Sequence, residues 1–395
     1  MKKTIALVLS FAMCFSLMAC GDTAVSKDEN ETPASVSEIP FTISEDPVVV
    51  SVEEKEETAD SSSTQAEEVI PENSYRSELT NEWISLDIQD QRPVAVMIDN
   101  ELTALPHYGT SDADIIYEMM NSTLNGRITR FMAIFKDWEN VKEIGNIRSA
   151  RPTNMYLYPE YNAILVHDGG PFYINDHFND PYSSEHLSSG FARIDRGKAG
   201  FYEEYATNVD YSGVGEYSGV SYKSLYNRIK SAGYSLTYNS YYLGKPFTFS
   251  DTELSLKNES KATEATFIDL PFPHNATELS YDEKTGTYVY REYDQTYVDA
   301  LYDDGRGLEF KNVILMKCAF EQFDENGYMC YYILGGNDGY YITDGYAIPI
   351  KWAKTGKDDI TSYTNAETGE EITLNTGKTY IAIVPDDAWS NLVIK

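Results

Sequence analysis

Two apolar runs, at residues 128–135 (ITRFMAIF) and 163–166 (AILV), are too short for helices and too continuous for loops, and each is bounded by residues that carry chemistry. Runs of this length read as buried strands. Between them lies Arg148-Ser149-Ala150-Arg151-Pro152, and the second run ends at His167-Asp168-Gly169-Gly170. The chain carries a formal net charge of -32, yet Arg127, Arg130, Arg148 and Arg151 crowd into this stretch. Guanidinium forks suit carboxylate or phosphate. The expected ligand-binding set is therefore Arg130, Arg148, Ser149, Arg151, His167, Gly169 and Gly170, the glycines allowing close backbone approach. The rival account is structural, with the arginines acting as counter-charges for Asp99, Glu101, Asp114 or Glu118.

The chain opens with Met1-Lys2-Lys3 and an apolar run over 4–18, the n- and h-regions of an export signal. It continues Leu17-Met18-Ala19-Cys20-Gly21, which resembles the bacterial lipoprotein box. Cys20 is the expected lipid attachment point, so residues 1–20 are a signal peptide and the mature protein sits on the extracytoplasmic face of the membrane. Residues 21–82, rich in Ser, Thr, Glu and Pro, read as a disordered acidic tether, with the valines near 48–52 at most a transient strand.

The expected fold is mixed α+β. An N-terminal α/β domain at 83–255, with a mostly β-sheet core and a few helices, precedes a smaller β-dominated domain at 256–395. In the first, strands are expected at 93–98, 113–118, 127–136 and 164–166. Helices are expected at 149–161, with Pro152 in the first turn, and from a Ser221 cap to Gly233. In the second, strand patterns recur at 287–293, 313–320, 328–334, 340–352, 361–363 and 379–384. Asn326-Gly327, Asp338-Gly339 and Asp344-Gly345 read as hairpin turns. The 32 tyrosines fit half-buried strands. Cys318 and Cys330 flank one turn off-centre, and the exported setting would permit a disulfide.

Asp99, at the end of the first strand, and His167-Asp168, at the end of another, are the candidate catalytic groups. Asp99, Asp114 and Glu118, with His107 nearby, are the alternative metal ligands, although no ligand spacing repeats. No nucleophile elbow, Walker loop or dinucleotide glycine pattern occurs, and no cofactor is expected. The acidic balance argues against nucleic acid as a partner.

The segments RPVAVMIDN (92–100), ADIIYE (113–118), ITRF (128–131), IGNIRSARP (144–152) and VHDGG (166–170) resemble the YerB-like bacterial lipoproteins, a two-part domain of unknown function 3048. KNVI (311–314), IPIKW (348–352) and NTGKT (375–379) extend the resemblance through the second half. It implies a membrane-anchored, two-part envelope protein and carries no chemistry. Where the family has Pro-His-Asn-Leu-Tyr before a helix, this chain has SYKSLY (221–226), which favours binding over catalysis. The leading expectation is a lipoprotein holding an anionic glycan, peptide or phosphate of the envelope at an Arg-rich cleft. One alternative is an enzyme acting on a phosphorylated glycan carrier, a phosphotransferase or hydrolase in which Asp99 or Asp114 would hold magnesium; its pattern is faintly similar to the LytR-CpsA-Psr phosphotransferases. Another is a scaffold for a protein partner.

Overall fold

The apolar runs become the centre of one large sheet in the computed structural model, which describes residues 70–395. The expected signal peptide, Cys20, the tether as far as residue 69 and the valine patch lie outside the described residues. Val94–Asp99, Ile115–Met120, Thr129–Phe135 and Ile164–His167 are buried along their whole length. Burial on both faces explains why they read as unbroken apolar runs. Val94, Val96, Ile98, Phe131 and Ala133 join one core, while Ala95, Met97, Met132 and Ile134 join the core on the opposite face.

The sheet runs in the order Thr263–Glu264, Tyr346–Lys354, Gly335–Thr343, Asn312–Cys318, Thr379–Pro385, Ile115–Met120, Thr129–Phe135, Val94–Asp99, Ile164–His167, His186–Ser188, with Ser362–Asn365 also beside Tyr346–Lys354. Its two halves meet where Thr379–Pro385 pairs in parallel with Ile115–Met120, Thr379 against Ile115 and Ile383 against Met119. The border expected between 255 and 256 therefore does not separate two sheets. Strands from both sides of it share one ladder of hydrogen bonds, and the described residues, 70–395, pack as a single unit.

A second sheet, Gln295–Thr296, Thr287–Glu292, Glu278–Asp282, Phe267–Asp269 and Val393–Ile394, covers the first core with Ile268, Leu279, Tyr288 and Tyr290. The Thr287–Glu292 strand alternates half-buried and buried, so Tyr288, Tyr290 and Glu292 point inward. The architecture is mostly β. Among the described residues the α-helices are Asn154–Leu157 and Leu225–Ala232, which is less helix than an α/β domain would carry.

Several local expectations need correction. The 70–82 part of the tether is folded: Ser74–Arg76 pairs with Trp83–Ser85, Leu79 joins the core, and Glu78 takes the buried Lys136 ammonium at 2.6 Å. The helix expected at 149–161 begins only at Asn154 and tightens into a 3-10 turn, Tyr158–Tyr161. Residues 148–150 are held extended by strand ends, through Arg148 N–H to the Met97 carbonyl (2.9 Å) and Ala150 N–H to the Gly169 carbonyl (3.2 Å). The later helix is capped by Ser224, whose hydroxyl accepts from Asn227 N–H, while Ser221 lies in a short strand pair; Gly233 closes it at φ 78°. Asp338-Gly339 is no turn but part of Gly335–Thr343, whereas Asp344-Gly345 joins that strand to Tyr346–Lys354. Cys318 and Cys330 are separate buried thiols.

Candidate functional site

Strand directions bring the expected residues to one end of the sheet. Asp99 ends its strand directly opposite Arg130 on the antiparallel neighbour, and His167 ends the parallel strand on the other side, paired with Ser188. The extended segment from Arg148 crosses these ends, its carbonyl accepting from Asp168 N–H at 3.1 Å. Ser149 Oγ donates to the Asp168 carbonyl at 2.7 Å. At Gly170 an added Cβ would lie 2.3 Å from Ile174 Cδ1 and 3.1 Å from the Ala150 carbonyl, so the glycine lets this crossing pack close.

The charges at this end do not balance. Asp99 Oδ2 lies 2.6 Å from Arg148 Nε and 3.7 Å from Arg130 Nη2. Burial works against its charge, but the Arg130 and Arg148 guanidiniums outweigh it and hold the carboxyl below its ordinary range. Arg130 Nη1 donates to the Ser149 carbonyl (2.7 Å), and Arg151 Nη1 to the Ala150 carbonyl (3.0 Å). Arg151 also lies 4.9 Å from the Tyr328 ring, and no carboxylate among the described residues comes within 4.0 Å of it. Burial, then repulsion from Arg130, pushes its group down to about 9. A guanidinium does not give up its proton at neutral pH, so this cost stays with the folded protein. The buried Nε atoms of Arg130 and Arg151 lack hydrogen-bond partners.

A second group adjoins the first. Glu204 Oε1 sits 3.1 Å from Arg193 Nη2, which lies 3.8 Å from Asp168 Oδ2. Burial, and after it the neighbouring Asp168 carboxyl, pushes the Glu204 carboxyl up to about 8. His167 Nδ1 lies 2.7 Å from the Gly169 carbonyl and must donate to it, so His167 Nε2 accepts from His186 Nδ1 at 3.0 Å. His186 stacks on Phe178, and burial, followed by the neighbouring His167 ring, pushes its imidazole down to about 4.

Thus Asp99, Arg130, Arg148, Ser149, Arg151, His167, Asp168, Gly169 and Gly170 gather at one sheet end. Arg127 does not join them; it forms a two-pronged pair with Asp387 at 2.8 and 2.6 Å. The alternative metal ligands do not assemble: Asp99 is taken by arginines and Asp114 accepts Lys136 N–H at 2.7 Å. Glu118 is ringed by hydroxyls, and among the described residues no group of three or more His, Cys, Asp or Glu is placed to hold a metal. His107 is fully buried between the Asp99 carbonyl and the Tyr297 hydroxyl. The sequence reading missed Arg193 and Glu204, which come from the loop-rich stretch after Gly170. Their one signal was the Ala-Arg-Ile and Glu-Tyr-Ala-Thr pattern of short strands, Ala192–Arg193 and Glu204–Thr207.

Comparison with known proteins places this architecture. Residues 79–234 match the N-terminal domain, and residues 268–381 the C-terminal domain, of a protein family of unknown function, DUF3048. A Bacillus subtilis (strain 168) protein named as a lipoprotein, YerB, is 25% identical over 326 residues, covering 82% of this chain and 91% of its own. The crystal structure of YerB from Bacillus subtilis aligns with a TM-score of 0.65 at 22% identity, over 81% of this chain and 99% of that one. This likeness shows a shared fold.

Proposed function

The chain belongs to the DUF3048 family, and from that premise we propose that it is an extracytoplasmic lipoprotein, tethered through Cys20, that binds an anionic ligand of the cell envelope at the Arg130, Arg148 and Arg151 sheet end. The observation that carries this reading is the third guanidinium: Arg130 and Arg148 pair with Asp99, while Arg151 beside them has no carboxylate within 4.0 Å among the described residues. Uncompensated charge at low exposure is costly, and an anion bound in two-pronged fashion would relieve it. The lipoprotein name of the Bacillus relative supports the anchoring.

The test is calorimetric and thermal titration of the full chain with pyrophosphate, N-acetylmuramic acid and neutral N-acetylglucosamine. The anions should bind and raise Tm, less so as salt is added. Indifference to both anions would remove the reading.

The Asp168–Glu204 pair favours a second reading, an enzyme acting on a phosphorylated glycan carrier. A carboxyl pushed up to about 8, and so still protonated near neutral pH, is suited to act as a general acid. Release of phosphate or pyrophosphate from such a carrier, abolished by Glu204→Gln, would establish catalysis. The Asp99 and Asp114 contacts do not fit the magnesium site that a metal-dependent version would need.

A further inference from the structure

We propose that the cavity between the 102–106 loop and the 295–298 turn is a second binding site, taking a small primary ammonium ion with a short aliphatic body whose charge rests on Glu292. The cavity, of about 330 Å³, has walls from Leu102, Leu105, Pro106, Tyr297 and Val298, with Glu292 at its edge. Leu102 and Val298 are 46% exposed each. None of the three sheet-end arginines lines it. The site therefore stands independently of the anion reading.

Strand periodicity puts Glu292 here. It follows Tyr288 and Tyr290 on the inward face of Thr287–Glu292, and it is 1% exposed. Its Oε1 has no hydrogen-bond partner. Within 3.5 Å its Oε2 meets the Tyr290 hydroxyl, at 3.4 Å, which lies closer to Glu118 Oε2, at 3.0 Å, while the Asn100 and Asn275 amides stand near enough to ease its charge in part. One hydroxyl hydrogen cannot serve both, so Glu292 is left short of donors. The Asn100 side-chain oxygen, whose amide nitrogen lies 3.4 Å from the same hydroxyl, is also without a donor.

The surroundings select a cation. Neither Glu292 nor Glu118 has a Lys, Arg or His within 4.0 Å among the described residues. Burial, then the neighbouring Glu118 charge, pushes the Glu292 carboxyl well above its usual range. An ammonium group brings three donors and the missing positive charge, and its alkyl body would cover Leu102 and Val298. A neutral alcohol of the same length supplies neither charge nor a surplus of donors.

Titration of the full chain with n-butylammonium and, separately, n-butanol, followed by Tm and by calorimetry, tests this. Saturable binding is expected for the ammonium alone, weakened roughly ten- to hundredfold by Glu292→Gln, as befits loss of one charged hydrogen bond. Val298→Trp, at an exposed position that leaves the buried carboxyls untouched, should block the mouth and abolish binding while the chain stays folded. Equal binding of n-butanol, undiminished ammonium binding in Glu292→Gln, or no saturable ammonium binding would each overturn the proposal.

Discussion

Glu118 on the sheet and the arginines at its end are charged groups fully or partly buried, and they are treated in opposite ways. Glu118, fully buried, accepts from the Thr129 and Tyr380 hydroxyls at 2.6 Å each, Thr277 at 2.9 Å and Tyr290 at 3.0 Å. Neutral donors complete that site without any cation. At the sheet end, Asp99 pairs with Arg130 and Arg148, Arg151 has no carboxylate within 4.0 Å among the described residues, and the Nε atoms of Arg130 and Arg151 have no hydrogen-bond partner. A charge satisfied by the chain's own hydroxyls has a structural explanation in full. A charge surplus left open at low exposure has none, and that is what separates a buried network from a binding site.

The largest effect should follow from breaking the completed site. Glu118→Ala strands four hydroxyls at about 1–3 kcal/mol apiece, so stability should fall by more than about 4 kcal/mol in urea unfolding. Added pyrophosphate should not restore it. Asp99→Asn should cost about 3 kcal/mol, because it removes the carboxylate that pairs with both Arg130 and Arg148. Here pyrophosphate should restore part of the loss. If it rescues neither variant, or both, the contrast between the regions collapses. Because Asp99 is held below its ordinary range in the folded chain, its contribution is present above the unfolded value of about 3.9 and lost as pH falls through the lower folded one. Asp99→Asn should therefore flatten the acid limb of the stability profile.

The same contrast separates what was legible in the sequence from what was not. Val94–Asp99, Thr129–Phe135 and Ile164–His167 were readable because burial on both faces leaves unbroken apolar runs, and their ends named Asp99, Arg130 and His167. Arg148 to Arg151 were found as candidates, but their helix was misplaced, since nothing local announces that Met97 and Gly169 will claim their backbone. The single sheet was invisible for a similar reason: pairing of Thr379 with Ile115 spans most of the chain and leaves no periodic trace. Glu292 lay in plain sight as the third inward position after Tyr288 and Tyr290, but alternation alone does not say which face is buried. Arg193 and Glu204 sit on strands of two and four residues, whose pattern is too short to stand out from the surrounding loops.

A smaller effect tests the second charge group. Folding raises the Glu204 carboxyl to about 8, so its contribution is fully present below the unfolded value of about 4.3 and lost as pH rises through 8. Wild type should lose about 2 kcal/mol relative to Glu204→Gln between those limits, after allowance for solvent screening near Arg193 and Asp168. Parallel profiles for the two chains would mean that the carboxyl pair shares no proton.

The smallest change in stability should come from Arg151→Gln, and it separates the two regions most cleanly. In a completed network, loss of a mostly buried polar group leaves partners stranded and costs several kcal/mol. Arg151 strands very little: its hydrogen bond reaches only the neighbouring Ala150 carbonyl, its Nε has no partner, and Arg130 repels its charge. What it loses is contact with the Tyr328 ring, worth about 1 kcal/mol, against a comparable gain from relieved repulsion. Unfolding free energy should stay within about 1 kcal/mol of wild type, while pyrophosphate affinity falls roughly tenfold or more. A variant that unfolds readily yet keeps its anion affinity would show Arg151 to be a structural residue after all, and the surplus of charge at the sheet end would need another explanation.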